Sequence, residues 1–429
     1  MKKVIPILLL LAATLSGKAQ NNPLFFSYIK DNPAAACLNT CPYELSPVYG
    51  NFRESPAPKG YKPVYISHYG RHGSRSSWDQ AYYDDIVKIL TAAKASGILT
   101  ASGDSLLYET GKVIEGTAKM DGRLTPRGCR EHRGIAERMY RRYPRVFRKG
   151  SRNVRVLSSE VPRCLVSMAS FTGRLSELDN RLRISMDCGS EIQKVVDNGS
   201  TEEGRALRKA VRDSLRAAMS VDLEPMMTRL FTDRKAAAAI VPDPVQLCRE
   251  IYYTGRISRS FDYDFNVFRF IPPEAVYAWA EIHNVEMYVS QCNSAVCGEG
   301  RMKNTEPLAA NIVRCADEVL ASGEIAADLR FGHDYPLLAL CSYFGLSGVG
   351  ERYTVKEALE NWIATLYTPF AGNLQLIFYK SGKKDAPVLV KFLLNESEIT
   401  IASLTATQGV YYDWEDVKGY LRKERNCQI

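Results

Sequence analysis

Short apolar runs alternate with helical stripes at both ends of this chain, and a mainly helical pattern fills its middle. Val64-Tyr65-Ile66-Ser67-His68 is a strand candidate. Ser77-Trp78-Asp79-Gln80 has the form of a capping box and predicts a helix through Ile86, Ile89 and Leu90 towards Gly97. A second helix is expected over 105–120. Thr125 and Pro126 supply a cap and a first-turn proline for a third, reaching about Tyr140. Residues 153–157 form a β-branched strand, and Pro162 opens a helix carrying Cys164, Met168 and Phe171. Strands alternating with helices of this length predict a doubly wound, mostly parallel α/β sheet covered on both faces.

Between residues 178 and 327 the pattern becomes helical, most clearly over 202–220, 273–290 and 306–322. The strand pattern returns at 328–332 and continues at 374–379 and 388–395, and 413–424 closes the chain as a helix. The expected division is a signal segment at 1–19, the first part of an α/β core at 20–177, a helical insertion domain at 178–327, and the rest of the core at 328–429.

Lys2 and Lys3, the apolar run 5–15 and Gly17-Lys18-Ala19 have the layout of a secretory signal peptide. Export to the periplasm or the exterior is therefore expected. No later run reaches the roughly 18 apolar residues of a spanning helix, so no stable membrane anchor is expected. Eleven cysteines in an exported chain predict disulfides, with Cys37/Cys41 and Cys292/Cys297 as candidates for short loops. An odd total leaves at least one thiol free or intermolecular, and several buried reduced cysteines are the alternative to full pairing.

A net charge of +8 favours anionic ligands and does not choose among phosphates, nucleic acid and membrane surfaces. The arginine-rich stretch 127–152 is interleaved with Ile135, Met139 and Val146. It reads as the solvated face of an amphipathic helix, so no nucleic-acid partner is expected. The five histidines include no HExxH or HxH pair, so neither a metal nor another cofactor is expected.

The chemistry concentrates after three strand candidates. Arg71, His72 and Arg75 follow the first, Arg163 the second, and His333 and Asp334 the third. In parallel α/β sheets such positions share one edge, near helix N-termini that favour anions. A histidine between two arginines is a poor core element but suits attack on a phosphate whose oxygens the guanidiniums hold. Gly73 would let the backbone approach the ligand. His72 is the candidate nucleophile. Arg71, Arg75, Arg163 and His333 are the candidate phosphate ligands, and Asp334 is the candidate general acid and later base. His68, His132 and His283 read as packing or surface residues.

These residues carry a resemblance. Arg71-His72-Gly73-Ser74-Arg75 resembles the RHGxR motif of the histidine acid phosphatases, the larger branch of the histidine phosphatase superfamily. Leu124-Thr125-Pro126-Arg127-Gly128 is similar to the LTxxG that follows it. Residues 158–170 resemble the segment bearing a third phosphate arginine, and His333-Asp334 the late HD dipeptide. Pro369-Phe370-Ala371-Gly372-Asn373-Leu374 is similar to a stretch before the last strands. The resemblance implies an α/β core with an inserted helical domain, the same six site residues, and a phosphohistidine. Two departures stand out. Ser77 replaces a common proline, and His333-Asp334-Tyr335 stands where relatives similar to multiple inositol polyphosphate phosphatase carry His-Ala-Glu. The expected activity is hydrolysis of a small anionic phosphate ester, with inositol polyphosphates such as phytate leading. A broad acid or sugar phosphatase and a non-catalytic phosphate-binding protein are the alternatives.

Overall fold

The computed structural model describes residues 22–425 except 51, 53 and 79, so the signal segment lies outside the described residues. Eight strands form one sheet in the order β3-β2-β4-β1-β5-β6-β7, with β8 paired to β6. β1 (Tyr61–Arg71), β2 (Asn153–Ser158), β3 (Arg183–Cys188) and β4 (Ala327–Gly332) make the parallel half. β5 (Asn373–Ser381), β6 (Leu389–Leu394), β7 (Ser397–Ile399) and β8 (Tyr412–Asp413) make the antiparallel half.

The longer helices are α1 (Pro23–Asp31), α2 (Ala81–Ala95), α3 (Ala101–Thr117), α4 (Pro126–Arg142), α5 (Pro162–Leu178) and α6 (Glu202–Ala218). They continue with α7 (Pro244–Ser258), α8 (Pro273–Gln291), α9 (Gly298–Ser322), α10 (Asp334–Tyr343) and α11 (Trp414–Arg425).

Strand residues sort by parity between two cores. Tyr65 and Tyr69 of β1, Leu374, Leu376 and Phe378 of β5, and Val390 and Phe392 of β6 enter one cluster with Val285, Ile312 and Leu338. Ile66, Ile377, Leu389 and Leu393 enter the other with Ile135 and Met139 of α4 and Phe171 and Leu175 of α5. The sheet is therefore covered on both faces, as the apolar strand runs require. Each fully buried phenylalanine of this set, such as Phe171 and Phe331, contributes about 1.5–3 kcal/mol over exposure.

The structure corrects four local expectations. α2 begins at Ala81 with Gln80 as N-cap and no side-chain cap bond, so the expected capping box does not form. β3 is an edge strand of the sheet, so the helical stretch begins after it and not at 178. Its alternation escaped the pattern because most of its side chains are exposed. α9 starts at Gly298 and carries Pro307 inside it. The described cysteines, Cys37, Cys41, Cys292 and Cys297 among them, are free thiols. The Cys297 thiol instead donates to the Val289 carbonyl, 2.8 Å away.

Candidate active site

The register of the parallel half puts three chain segments side by side. Arg71 pairs with Gly332, and Ser158 with Phe331. Just beyond, the His72 N–H donates to the Gly332 carbonyl at 2.9 Å and the Ser159 N–H to Phe331 at 2.9 Å. Arg71 ends β1, Arg163 lies in the first turn of α5, and His333 and Asp334 join β4 to α10. All six residues expected from the sequence meet at this edge.

His72 is buried, and its Nδ1 lies 2.9 Å from the Gly73 carbonyl oxygen. That oxygen only accepts, so Nδ1 carries the proton and Nε2 is left unprotonated. Burial first, then Arg71, Arg163, His333 and Arg75, holds its pKa well below the ordinary imidazole range. The ring stands 5.5 Å from that of His333 and 5.9 Å from that of Phe370.

Gly73 has a different use from the one expected. A Cβ there would meet the Gly128 carbonyl oxygen at 2.6 Å, and a Cβ at Gly128 would meet the Ser74 oxygen at 2.3 Å. The two glycines let the loop after β1 lie against the start of α4, where the Thr125 hydroxyl accepts from the Gly128 N–H. Glu131 locks the same contact, its carboxylate accepting from the Ser74 N–H and hydroxyl, both at 2.7 Å.

Three guanidiniums surround the nucleophile candidate. Arg71 donates to the carbonyls of Asn39 and Thr368, faces Asp334 Oδ2 at 3.2 Å and lies over the Phe370 ring. Arg75 donates to Ser76, and Arg163 to His333 Nδ1 at 3.1 Å. Among the described residues, the Nε of each of the three is buried without an acceptor. Burial and then the charges of Arg163 and Arg71 lower Arg75 to about 9. Three like charges with unused donors make a site that an oxyanion would stabilise.

His333 Nε2 lies 3.2 Å from the Ser159 hydroxyl and 3.3 Å from Asp197 Oδ2. Burial and then Arg163 lower its pKa to about 3, so it is neutral. Burial alone raises the Asp334 carboxyl, but Arg71, the Asn39 amide, His333 and Arg75 outweigh it and hold it at about 2.

Sequence reading missed Asn39, Trp78, Glu131, Asp197 and Arg256. Trp78 is 57% exposed, yet both Arg75 and Arg163 lie over its ring, at 4.6 and 4.3 Å. An aromatic three residues after Arg75 was the available signal. Asn39 and Asp197 gave none, because their partners are distant in sequence.

Other residues fall outside the site. His68 and His132 are buried against Phe171 and Phe331. In the 127–152 stretch, Arg130 pairs with Asp262, Arg133 with Glu177, Arg138 with Glu396 and Arg152 with Asp179. Among the described residues, no group of three or more His, Cys, Asp or Glu side chains is placed to hold a metal ion.

Comparison with known proteins joins this geometry to a family. Residues 70–213 match the family described as histidine phosphatase superfamily, branch 2. Over those residues the chain is similar to that superfamily. The phosphatase also has structural neighbours. The Bifidobacterium longum multiple inositol polyphosphate phosphatase in complex with inositol hexasulfate gives a TM-score of 0.71 at 17% identity, over 92% of this chain and 100% of that one. The phytase of D. castellii gives 0.63 at 13%, over 91% and 85%. The Hafnia alvei phytase with tartrate gives 0.51 at 13%, over 87% and 100%. At these identities the likeness establishes the fold. No curated protein sequence matches the phosphatase significantly. Among the described residues, no helix is long and apolar enough to cross a membrane.

Proposed function

We propose that the enzyme is an exported phosphomonoesterase that hydrolyses inositol polyphosphates such as phytate through a phosphohistidine. The observation that carries this reading is His72, with Nδ1 committed to the Gly73 carbonyl and, among the described residues, no hydrogen bond at the opposite ring nitrogen, close to three guanidiniums. Arg71, Arg75, Arg163 and His333 hold the phosphoryl oxygens. His72 Nε2 attacks phosphorus in line as the ester P–O bond breaks, and Asp334 protonates the departing oxygen. Asp334 then takes a proton from the water that releases phosphate from His72.

The low pKa of Asp334 fits this cycle. The arginine charges that keep it ionised are the charges a phosphate dianion cancels, so substrate binding raises its affinity for a proton. The substrate class rests on the basic balance of the chain and on Arg208 and Arg256, which reach Tyr335 and Asn39 from the helical segment. That segment, residues 178–327 in the sequence reading, is the wall that selects the leaving group. Export rests on the layout of residues 1–19. The names of two neighbours, an inositol polyphosphate phosphatase and a phytase, point the same way.

A panel of phytate, sugar phosphates and 4-nitrophenyl phosphate tests this, with phosphate release and product chromatography as readouts. The highest kcat/KM is expected on phytate, unchanged by EDTA. A preference for sugar phosphates overturns the substrate, and tight phosphate binding without turnover overturns the enzyme reading.

A further inference from the structure

Asn39 closes a 3₁₀ turn, Pro33–Thr40, that runs from the N-terminal region under the site. It is 8% exposed, and its amide joins two groups of opposite kind. Nδ2 donates to Asp334 Oδ2 at 2.7 Å. Oδ1 accepts from Arg256 Nη2 at 2.8 Å and faces His283 Nε2 at 3.2 Å. A guanidinium only donates, so Arg256 fixes which end of the amide is oxygen. His283 Nε2 then faces an acceptor, as does Nδ1 of the same ring, 2.6 Å from Glu286, so both contacts are made by the imidazolium, which burial and then Arg256 disfavour and Glu286 favours. Arg256 Nε also reaches the Cys37 carbonyl and the Thr40 hydroxyl, which fixes the backbone of the turn.

The two oxygens of Asp334 are therefore unequal. Oδ2 takes the Asn39 amide and faces Arg71 at 3.2 Å. Among the described residues, Oδ1 accepts only the N–H of the adjoining Tyr335, at 3.0 Å. One lone-pair direction is left, and it belongs to Oδ1.

We propose that Asn39, held by Arg256 and His283, is a positioning residue that assigns proton delivery to Oδ1 of Asp334. The proposal rests on the reading of Asp334 as the acid. The proton leaves Oδ1 for the ester oxygen as the P–O bond breaks and the bond from His72 Nε2 to phosphorus forms. The carboxylate left behind has its charge held on Oδ2 by Asn39 and Arg71. Without the amide, the carboxyl turns about Cβ–Cγ and its proton also occupies Oδ2, directed at Arg71 rather than at the leaving group.

The test compares kcat/KM on 4-nitrophenyl phosphate, whose leaving group needs no proton, with glycerol 2-phosphate, whose leaving group does. Asn39→Ala should lose at least about tenfold on glycerol 2-phosphate and less than about twofold on the aryl ester. The retained aryl activity also reports that the variant is folded. His283→Phe should show the same selectivity to a smaller degree, and His283→Gln, which keeps an N–H towards Asn39, should restore it. Equal losses on both esters, or no loss on either, overturn the proposal. Asp334→Asn is measured alongside. Selectivity there but not in Asn39→Ala removes the positioning role alone, whereas no selectivity in Asp334→Asn removes the acid and the proposal together.

Discussion

Two pairs of buried histidines lie close together in this molecule, and only one pair belongs to the site. His72 and His333 stand beyond the strand ends, whereas His68 and His132 sit within the core against Phe171 and Phe331. Burial is the leading cause of a lowered pKa in all four, and it brings His68, His132 and His333 to about 3. A depressed imidazole is therefore no sign of catalysis by itself. The surroundings separate the pairs. The core pair meets aromatic rings, while the site pair meets three guanidiniums with unused donors and a carbonyl that fixes the His72 tautomer.

The sharpest break of this contrast is a paired substitution. His72→Ala should lose at least about 10⁴-fold in kcat on 4-nitrophenyl phosphate. His68→Leu should stay within about threefold, and comparable losses would erase the distinction. Arg163→Ala should cost roughly 10²–10³-fold in kcat/KM, the scale of losing one oxyanion donor. An effect below tenfold would show that Arg71 and Arg75 suffice.

Stability tests the shared property of the pairs. Below the ordinary histidine pKa of 6.5 an unfolded chain protonates these imidazoles, while the folded chain keeps them neutral. The unfolded state then binds more protons, so stability falls as pH drops from 6.5 towards 3, by at most about 1.4 kcal/mol per pH unit for each histidine. Asp334 adds a loss of its own as pH falls from 3.8 towards about 2. Urea unfolding across this range should show His68→Leu losing less than the parent between pH 6.5 and 4, and parallel curves would contradict the depressed pKa. The smallest effect is expected at Trp78, whose ring faces two arginines. Trp78→Ala should weaken inhibition by inorganic phosphate about three- to tenfold, with Trp78→Phe between the two.

Much of the sheet was legible because its strands are short apolar runs bounded by turns. β1, β2, β4, β5 and β6 fall where the pattern placed them, since most of their buried residues are apolar. β3 was hidden by its exposed side chains, and the capping box by a chain that enters α2 without using it. The charged site residues were legible because each lies at a strand end or within five residues of one. Asn39 was not. Its meaning comes from Arg256, His283 and Asp334, which are 217, 244 and 295 residues away. No local pattern encodes such a contact. The packing of Gly73 was illegible for a similar reason, because its neighbour Gly128 lies in another element.

The grip on Arg71 ties one end of the chain to the other. The guanidinium is fixed by backbone oxygens of Asn39 and Thr368, on either side of it and the latter 297 residues along the chain. A fragment that ends after β1, or even after β4, has His72 but not the complete grip on Arg71. Fragments that end between residues 75 and 368 carry the full RHGxR motif and are expected to show no turnover.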